Sequence, residues 1–340
     1  MTAEEVVERL QKGLLASPPG GVSRGDVRVY FREGRDELVS LVQEVLGEWL
    51  SASDGGMSVA ARTAANLTAL RVLSRLRASN AAASAQDAAM LRAYSGWGGL
   101  SIERVAASDW PDGRAPEARG LIHEYYTPRR VTDAVADLLA RLRGSLPART
   151  LRALEPSAGV GRMVDSVNGR LGEKIDWQLA EWSQLSAAIL KALFPRVPLH
   201  VGPFESWVAE NDDAEFDLVV ANPPYGARGV SVSEDPRRDY REKRAYAYFL
   251  RRASDLLAPG GLGLWLIPAG FMTGTSAEMV ELRRKVLQRH HLECAYRLPS
   301  VTPGGRESLF PGAMLVTDLV VLRARGGELV GLAETDEALV

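Results

Sequence analysis

The sequence predicts an α/β fold with a mostly parallel sheet of seven strands behind an N-terminal helical region. Three observations carry that expectation. From about residue 121 onward, short apolar runs alternate with stretches of helical period. One run, Phe216–Ala221, reads as a buried strand and passes straight into a proline-rich turn. The residues before 121 show helical spacing and no comparable alternation.

In chain order, Leu38, Val42, Val45, Leu46 and Trp49 recur at helical spacing, as do Leu67, Leu70, Val72, Leu73 and Leu76. Residues 79–89 are alanine-rich, and the glycines at 20–21 and 53–56 mark breaks. This region, 1–120, is expected to touch DNA or a partner. Its one unusual string is Tyr94-Ser-Gly-Trp-Gly-Gly-Leu100. A helix is expected over 129–143, followed by the short strand Leu151–Glu155. Further strands are expected at 175–181, 198–202, 216–221, 262–268, 292–298 and 314–323. Helices are expected at 182–194, 245–257 and 277–290. The last two strands have no helix between them, which implies an antiparallel edge. Residues 326–340 read as a tail or linker.

Composition narrows the function classes. The chain has 340 residues, 46% hydrophobic and 25% charged, enough for one large α/β domain with an additional region. A single cysteine, Cys294, permits no internal disulfide, and four histidines without metal-ligand spacing argue against a zinc site. No apolar run approaches a membrane span, and the first fifteen residues are too acidic for a secretion signal, so the expected location is the cytoplasm. The net charge of −2 means that any nucleic-acid contact must come from local basic patches.

The first constellation is a ligand cradle. Glu155-Pro156-Ser157-Ala158-Gly159-Val160-Gly161 runs from a strand into a turn of small residues. Ligands of open α/β sheets bind at the carboxyl ends of the strands, and Gly159 and Gly161 let ligand atoms approach the backbone. Glu155 at the strand end can face the positive methionine end of a sulfonium cofactor. The next strand ends in Ala180-Glu181-Trp182, about twenty residues beyond Gly161, where an acid can accept bonds from both ribose hydroxyls. Phe204, after the third strand, either packs on the cofactor's adenine or belongs to the core.

The second constellation is Asn222-Pro223-Pro224-Tyr225, at the end of the strand Phe216–Ala221. Two prolines stiffen the turn and leave its carbonyls free to accept. The exocyclic nitrogen of adenine is a poor nucleophile, because its lone pair is delocalised into the ring. Two acceptors, the Asn222 side-chain oxygen and the Pro223 carbonyl, can hold its two hydrogens and favour the developing positive charge. Tyr225 can stack on the base and hold a flipped nucleotide.

Taken together in this order, the strings resemble the amino-methyltransferases that modify adenine in DNA, with the cofactor half first. His123-Glu-Tyr-Tyr126-Thr127-Pro128 resembles the leading motif, which implies that Tyr126, Thr127 and Pro128 contact the methionine moiety of S-adenosylmethionine. Glu155 to Gly161 is similar to the glycine motif and Glu181 to the ribose-binding acid. The segment 248–268 resembles the following helix, turn and strand. Leu309-Phe310-Pro311 resembles the late motif, which implies that Phe310 packs the other face of the base. The resemblance covers roughly 121–325 and implies a Rossmann-like methyltransferase fold. Two departures stand out. Pro203 occupies the place of an acid that usually contacts the cofactor's adenine, with Glu205 two positions on. No target-recognition domain follows Arg325, so recognition is expected from residues 1–120, from the 228–244 segment, from a partner or from a longer parent chain. The string 94–100 resembles a segment of large methylase–helicase proteins of phages and mobile elements, which implies restriction–modification, phage defence or anti-restriction, with a specificity, helicase or nuclease subunit as partner.

Arg228, Arg237, Arg238, Arg241, Lys243 and Arg244 follow the proline turn and are expected to meet DNA phosphates, or else to form a solvated charged loop. Two other readings stay open: methylation of an RNA base or a protein glutamine, and a non-catalytic subunit that keeps the fold.

Overall fold

In the computed structural model of this chain, which describes residues 29–31, 57–111, 124–172, 175–228, 234–298, 309–310, 316–326, 331–337 and 339–340, eight strands form one sheet. They are β1 (Val29–Phe31), β2 (Leu151–Glu155), β3 (Ile175–Glu181), β4 (Leu199–Val201), β5 (Phe216–Ala221), β6 (Leu257–Pro268), β7 (His290–Arg297) and β8 (Thr317–Ala324). Their order is β1-β7-β8-β6-β5-β2-β3-β4. Strands β2 to β6 pair in parallel, while β8 runs antiparallel between β6 and β7. The seven expected strands and the antiparallel edge are all present. The eighth, β1, comes from the N-terminal region and pairs antiparallel with β7, Val29 opposite Tyr296. Strand β6 starts earlier than its apolar run predicts, because its ladder with β5 continues across an irregularity between Phe216 and Leu218.

The chain leaves β2 towards β3 and β4 on one side, then returns to build β5 and β6 on the other. Strand order therefore reverses between β2 and β5, and their carboxyl ends flank a crevice. The glycine turn and the Asn-Pro-Pro-Tyr turn are the two segments that leave those ends.

Helices cover both faces. One layer holds α3 (Arg129–Leu142) and α4 (Arg162–Leu171), the other α6 (Phe204–Glu210), α7 (Ala245–Ser254) and α8 (Ala277–Leu287). Between strands β3 and β4 lies α5 (Gln184–Leu193), started by the Ser183 side chain. Val131, Ala134, Val135, Leu138 and Leu139 of α3 recur at helical spacing and are buried against β2. Helices α4 and α6 are short, and their apolar residues were not singled out by periodicity.

In the N-terminal region α1 (Val59–Ser79) contains the helical spacing read at 67–76, and the alanine-rich stretch 79–89 is divided between the end of α1 and α2 (Ala85–Arg92). Asn80 at φ 47° ends α1, and a Ser84–Asp87 capping box starts α2. The helical reading at 38–49 and the breaks at 20–21 and 53–56 lie outside the described residues. Helices α1 and α2 form a third cluster with Tyr94, Trp97 and Trp110 that takes in Val160 of the glycine turn and Ile189 of α5. The region is thus packed onto the cofactor half. The far end of the chain also differs from the expected tail: Leu339 is buried in the second cluster, and Arg283 Nε donates to its carbonyl at 2.8 Å. Among the described residues, no helix is long and apolar enough to cross a membrane.

Two buried side chains of α1 join it to the string 94–100: Arg62, which donates to the Gly98 carbonyl at 3.0 Å, and the fully buried amide of Asn66. Asn66 Nδ2 donates to the Gly96 carbonyl (2.7 Å), and Asn66 Oδ1 accepts from Ser95 N–H (2.7 Å). Removing both partners from buried backbone groups is costly. Asn66→Ala is expected to lower stability by about 2–4 kcal/mol, read as a lower midpoint in urea unfolding with an unchanged slope.

Candidate active site

The crevice at the reversal point is a cleft lined by Tyr125, Tyr126 and Thr127, by Glu155 and the glycine turn, and by Asn222. Sequence reading named most of these. It quoted Tyr125, Ser157 and Val160 within its strings without giving them a role, and it missed Arg162 and Met163, which also line the cleft. The basic residue directly after Gly161 was the available signal for Arg162.

The turn is built by short backbone bonds. Ala158 N–H donates to Ala180 O (2.9 Å) and Gly161 N–H to Ala158 O (2.8 Å). Gly159 sits at φ 55°, and a Cβ there would come within 2.9 Å of the Tyr126 ring, so only glycine lets that ring close over the turn. Gly161 precedes α4 and packs under Leu190 and Phe194. Pro156 is buried behind the turn, and Pro128 stands directly before α3. Glu181, at the end of β3, accepts from Gly159 N–H and Ser183 N–H, both at 2.7 Å. The strand-end acid therefore grips the turn from the next strand. Trp182 beside it is 69% exposed.

The string 94–100 supports the same site from outside. Gly98 N–H donates to the Glu124 carbonyl (3.1 Å), and Tyr94 hydroxyl to Glu124 Oε2 (2.6 Å). Gly96 sits at φ 79°, where a Cβ would lie 2.4 Å from the Glu124 carbonyl oxygen. Arg162 donates to the carbonyls of Tyr94 (2.7 Å) and Thr127 (3.0 Å), tying three strings together. Burial lowers its guanidinium to about 10.

At the catalytic turn, Asn222 Nδ2 donates to Thr127 Oγ1 (2.9 Å), and Tyr225 hydroxyl donates to Asn222 Oδ1 (2.7 Å). Ser157 hydroxyl reaches the Asn222 carbonyl at 3.4 Å, so the two turns touch. Pro223 is buried and Pro224 exposed. Tyr225 is half-buried and packs edge-on against Tyr246, with centroids 6.5 Å apart. Among the described residues, no group of three or more His, Cys, Asp or Glu side chains is placed to hold a metal ion.

Four residues weighed in the sequence do not line the cleft: Arg228, Glu205, Phe204 and Phe310. Arg228 is not a surface cation. Its side chain is 3% exposed, pairs with Glu205 at 3.0 Å and lies over the Tyr248 ring at 3.4 Å. Desolvating the cation is offset by the carboxylate and the ring, and it does not reach a phosphate. Glu205, for the same reason, does not replace the acid missing at Pro203. Phe204 starts α6 and stacks on Trp207 and Phe249 in the core, 2% exposed, the second of its two sequence readings. Phe310 is buried in the first core cluster, and Tyr225 packs against the second. Arg237 is held by Asp212 at 2.8 Å but remains 44% exposed, and Arg238 is exposed.

Comparison with known proteins places this geometry. Residues 170–300 match the family described as Eco57I restriction-modification methylase. The "Defense against restriction protein B" of Escherichia phage P1 is 29% identical over 211 residues, 62% of this chain and 9% of the phage protein. The chain therefore spans less than a tenth of that relative's length. A structure described as a modification subunit of a type I restriction enzyme from Vibrio vulnificus YJ016 aligns with TM-score 0.50 and 15% identity, over 72% of this chain and 50% of the other. A class I S-adenosylmethionine-dependent methyltransferase structure from Listeria monocytogenes aligns with TM-score 0.50 and 13% identity, over 88% and 91%. The fold is shared with methyltransferases, and residues 170–300 are similar to the restriction-modification methylase family. These similarities support S-adenosylmethionine as the cofactor.

The residues present fit that cofactor. Glu155 Oε2 is buried without a hydrogen-bond partner, and burial followed by the neighbouring Glu181 charge holds its carboxyl well above the usual range. An unpartnered acid in the cleft, with a second close behind it, favours a cationic ligand group. Glu124 has a second buried carboxyl, pushed up to about 7 chiefly by burial. A carboxyl that holds its proton more tightly when folded favours the folded state at low pH, and loses that contribution as pH rises through the folded pKa. Glu124→Gln is therefore expected to gain about 3 kcal/mol relative to the parent between pH 4.5 and pH 8, measured by parallel urea titrations at the two pH values.

Proposed function

We propose that this chain is a DNA methyltransferase that transfers the methyl group of S-adenosylmethionine to the 6-amino group of a flipped adenine. The observation that carries this reading is the shared cleft: the Asn222 side chain and the glycine turn line one space at the strand-order reversal. S-adenosylmethionine supplies an electrophilic methyl on a sulfonium sulfur. Glu155 faces the cationic end, Glu181 and the exposed Trp182 receive the nucleoside, and Tyr126 to Pro128 close the methionine end. Asn222 Oδ1 and the Pro223 carbonyl accept the two hydrogens of the amine, a bonding pattern that strengthens as the nitrogen becomes positive. Positioning supplies the rest, with no base required before transfer. Tyr225 stacks on the base.

Contact with DNA falls to the segment after the catalytic turn. Buried ion pairs hold its frame: Arg252 with Asp235 at 3.0 Å and Arg251 with Glu242 at 2.6 Å. That frame leaves Arg238, Arg241, Lys243 and Arg244 exposed. Given how little of the phage relative is spanned, we read this chain as the methylating portion of a larger restriction–modification or anti-restriction system. A specificity, helicase or nuclease component of that system supplies target recognition.

Labelled methyl transfer offered to DNA, RNA and protein in parallel tests the reading, with label expected in DNA as N6-methyladenine. Label in RNA or protein alone would overturn it. So would absence of cofactor binding by calorimetry, which would leave the scaffold role. Asn222→Ala is expected to lower transfer about 10²-fold or more while cofactor affinity, read by calorimetry, stays near that of the parent. A double Arg238→Ala, Arg241→Ala variant is expected to reduce the salt slope of DNA binding by about two, with equal loss on every sequence tried.

A further inference from the structure

An asparagine that must offer its oxygen to an amine has an orientation problem. A half-turn about its last torsion exchanges the acceptor for a two-hydrogen donor, and the side chain alone has little preference. Here two hydroxyls from distant parts of the sequence hold that torsion. Thr127 Oγ1 accepts from Asn222 Nδ2 at 2.9 Å, and Tyr225 hydroxyl donates to Asn222 Oδ1 at 2.7 Å. They differ in permanence. Thr127 is buried, its branched Cβ restricts rotation, and its own carbonyl is held by Arg162 at 3.0 Å. The Tyr225 hydroxyl has one hydrogen and two acceptors in reach, Asn222 Oδ1 and the Leu266 carbonyl at 3.0 Å. Rotation about the phenol C–O bond moves that hydrogen from one to the other.

We propose that Thr127 is a positioning residue for Asn222 and that the Tyr225 hydroxyl is an exchangeable cap on the same amide. The proposal rests on the amino-methylation reading above. In the resting state the Tyr225 hydroxyl satisfies the Asn222 oxygen, which would otherwise lack a donor. When the target amine arrives, its N–H takes that place, the phenol hydrogen turns to the Leu266 carbonyl, and no acceptor is left without a partner. Thr127 keeps the amide from rotating throughout. Because Thr127 also lines the cofactor cleft, this contact joins cofactor site and catalytic turn.

The test compares Thr127→Val, which keeps the shape and loses the hydroxyl, with Thr127→Ser, which keeps the hydroxyl. Two readouts are taken on the full chain. One is kcat at saturating cofactor, on whichever acceptor the parent labels, alongside the cofactor dissociation constant. The other is the side-chain amide pair of Asn222 in a ¹⁵N–¹H spectrum, assigned by its loss in Asn222→Ala. Thr127→Val is expected to lower kcat about tenfold with cofactor affinity changed less than about twofold, and to shift the Asn222 amide pair; Thr127→Ser is expected to restore both. Parent-like kcat with unmoved Asn222 signals in Thr127→Val would overturn the proposal. So would a loss of activity that follows cofactor affinity alone and is not rescued by serine. If the parent labels no acceptor, the amino-methylation reading fails, and the Asn222 signals still decide the Thr127 contact.

Discussion

The ladder between β2 and β5, with Ala153 opposite Leu218 and Leu154 opposite Val219, governs the rest of this molecule. There the order of the parallel strands reverses, β2 leading on to β3 and β4 at one edge and β5 to β6 on the other side. The carboxyl ends of β2 and β5 therefore open onto a space that no crossover helix fills. A turn of small residues leaves one end and a proline-stiffened turn leaves the other, close enough for Ser157 to reach the Asn222 carbonyl. Cofactor pocket and acceptor groups become neighbours because hydrogen-bonded strands lie about 4.8 Å apart.

Around that joint the molecule places buried polar groups in layers. Glu181 fastens the glycine turn from β3, Arg162 fastens the leading string from α4, and Asn66 fastens the string 94–100 from α1. Each has its backbone partners within hydrogen-bond distance, so each contributes order without leaving an orphan donor. Two exceptions are carboxyls, Glu155 in the cleft and Glu124 in the leading string. Glu155 and Glu124 each keep a buried oxygen without a partner, and both carboxyls are held above their usual range. A cleft that holds an unpartnered acid in this way is disposed towards a cation before any ligand enters it.

The catalytic loop shows how one segment combines stiffness with display. Arg228, Asp235 and Glu242 are drawn inward to Glu205, Arg252 and Arg251, while Arg238, Arg241, Lys243 and Arg244 stay outside. Composition shows only an interleaved run of both signs. Which members turn inward depends on the aromatic floor of Tyr240 and Tyr248, over which the arginines stack.

Strand positions, helix α3, the glycine turn and the Asn-Pro-Pro-Tyr turn were legible in the sequence, because each depends on local chemistry: alternation, apolar period, missing side chains, fixed φ. Glu155 and Asn222 could be named for the same reason, and Thr127 through the resemblance of its string to a leading methyltransferase motif. Only the tertiary structure decided what distant segments do to one another. It paired β1 with β7, buried Arg228, Phe204 and Phe310, and set the N-terminal helices against the cofactor turn. It also brought Thr127 to Asn222 across 95 positions of sequence. Charge and aromaticity along a chain specify what a side chain can do, and the packing of the folded sheet determines whether it faces water, a ligand or another side chain.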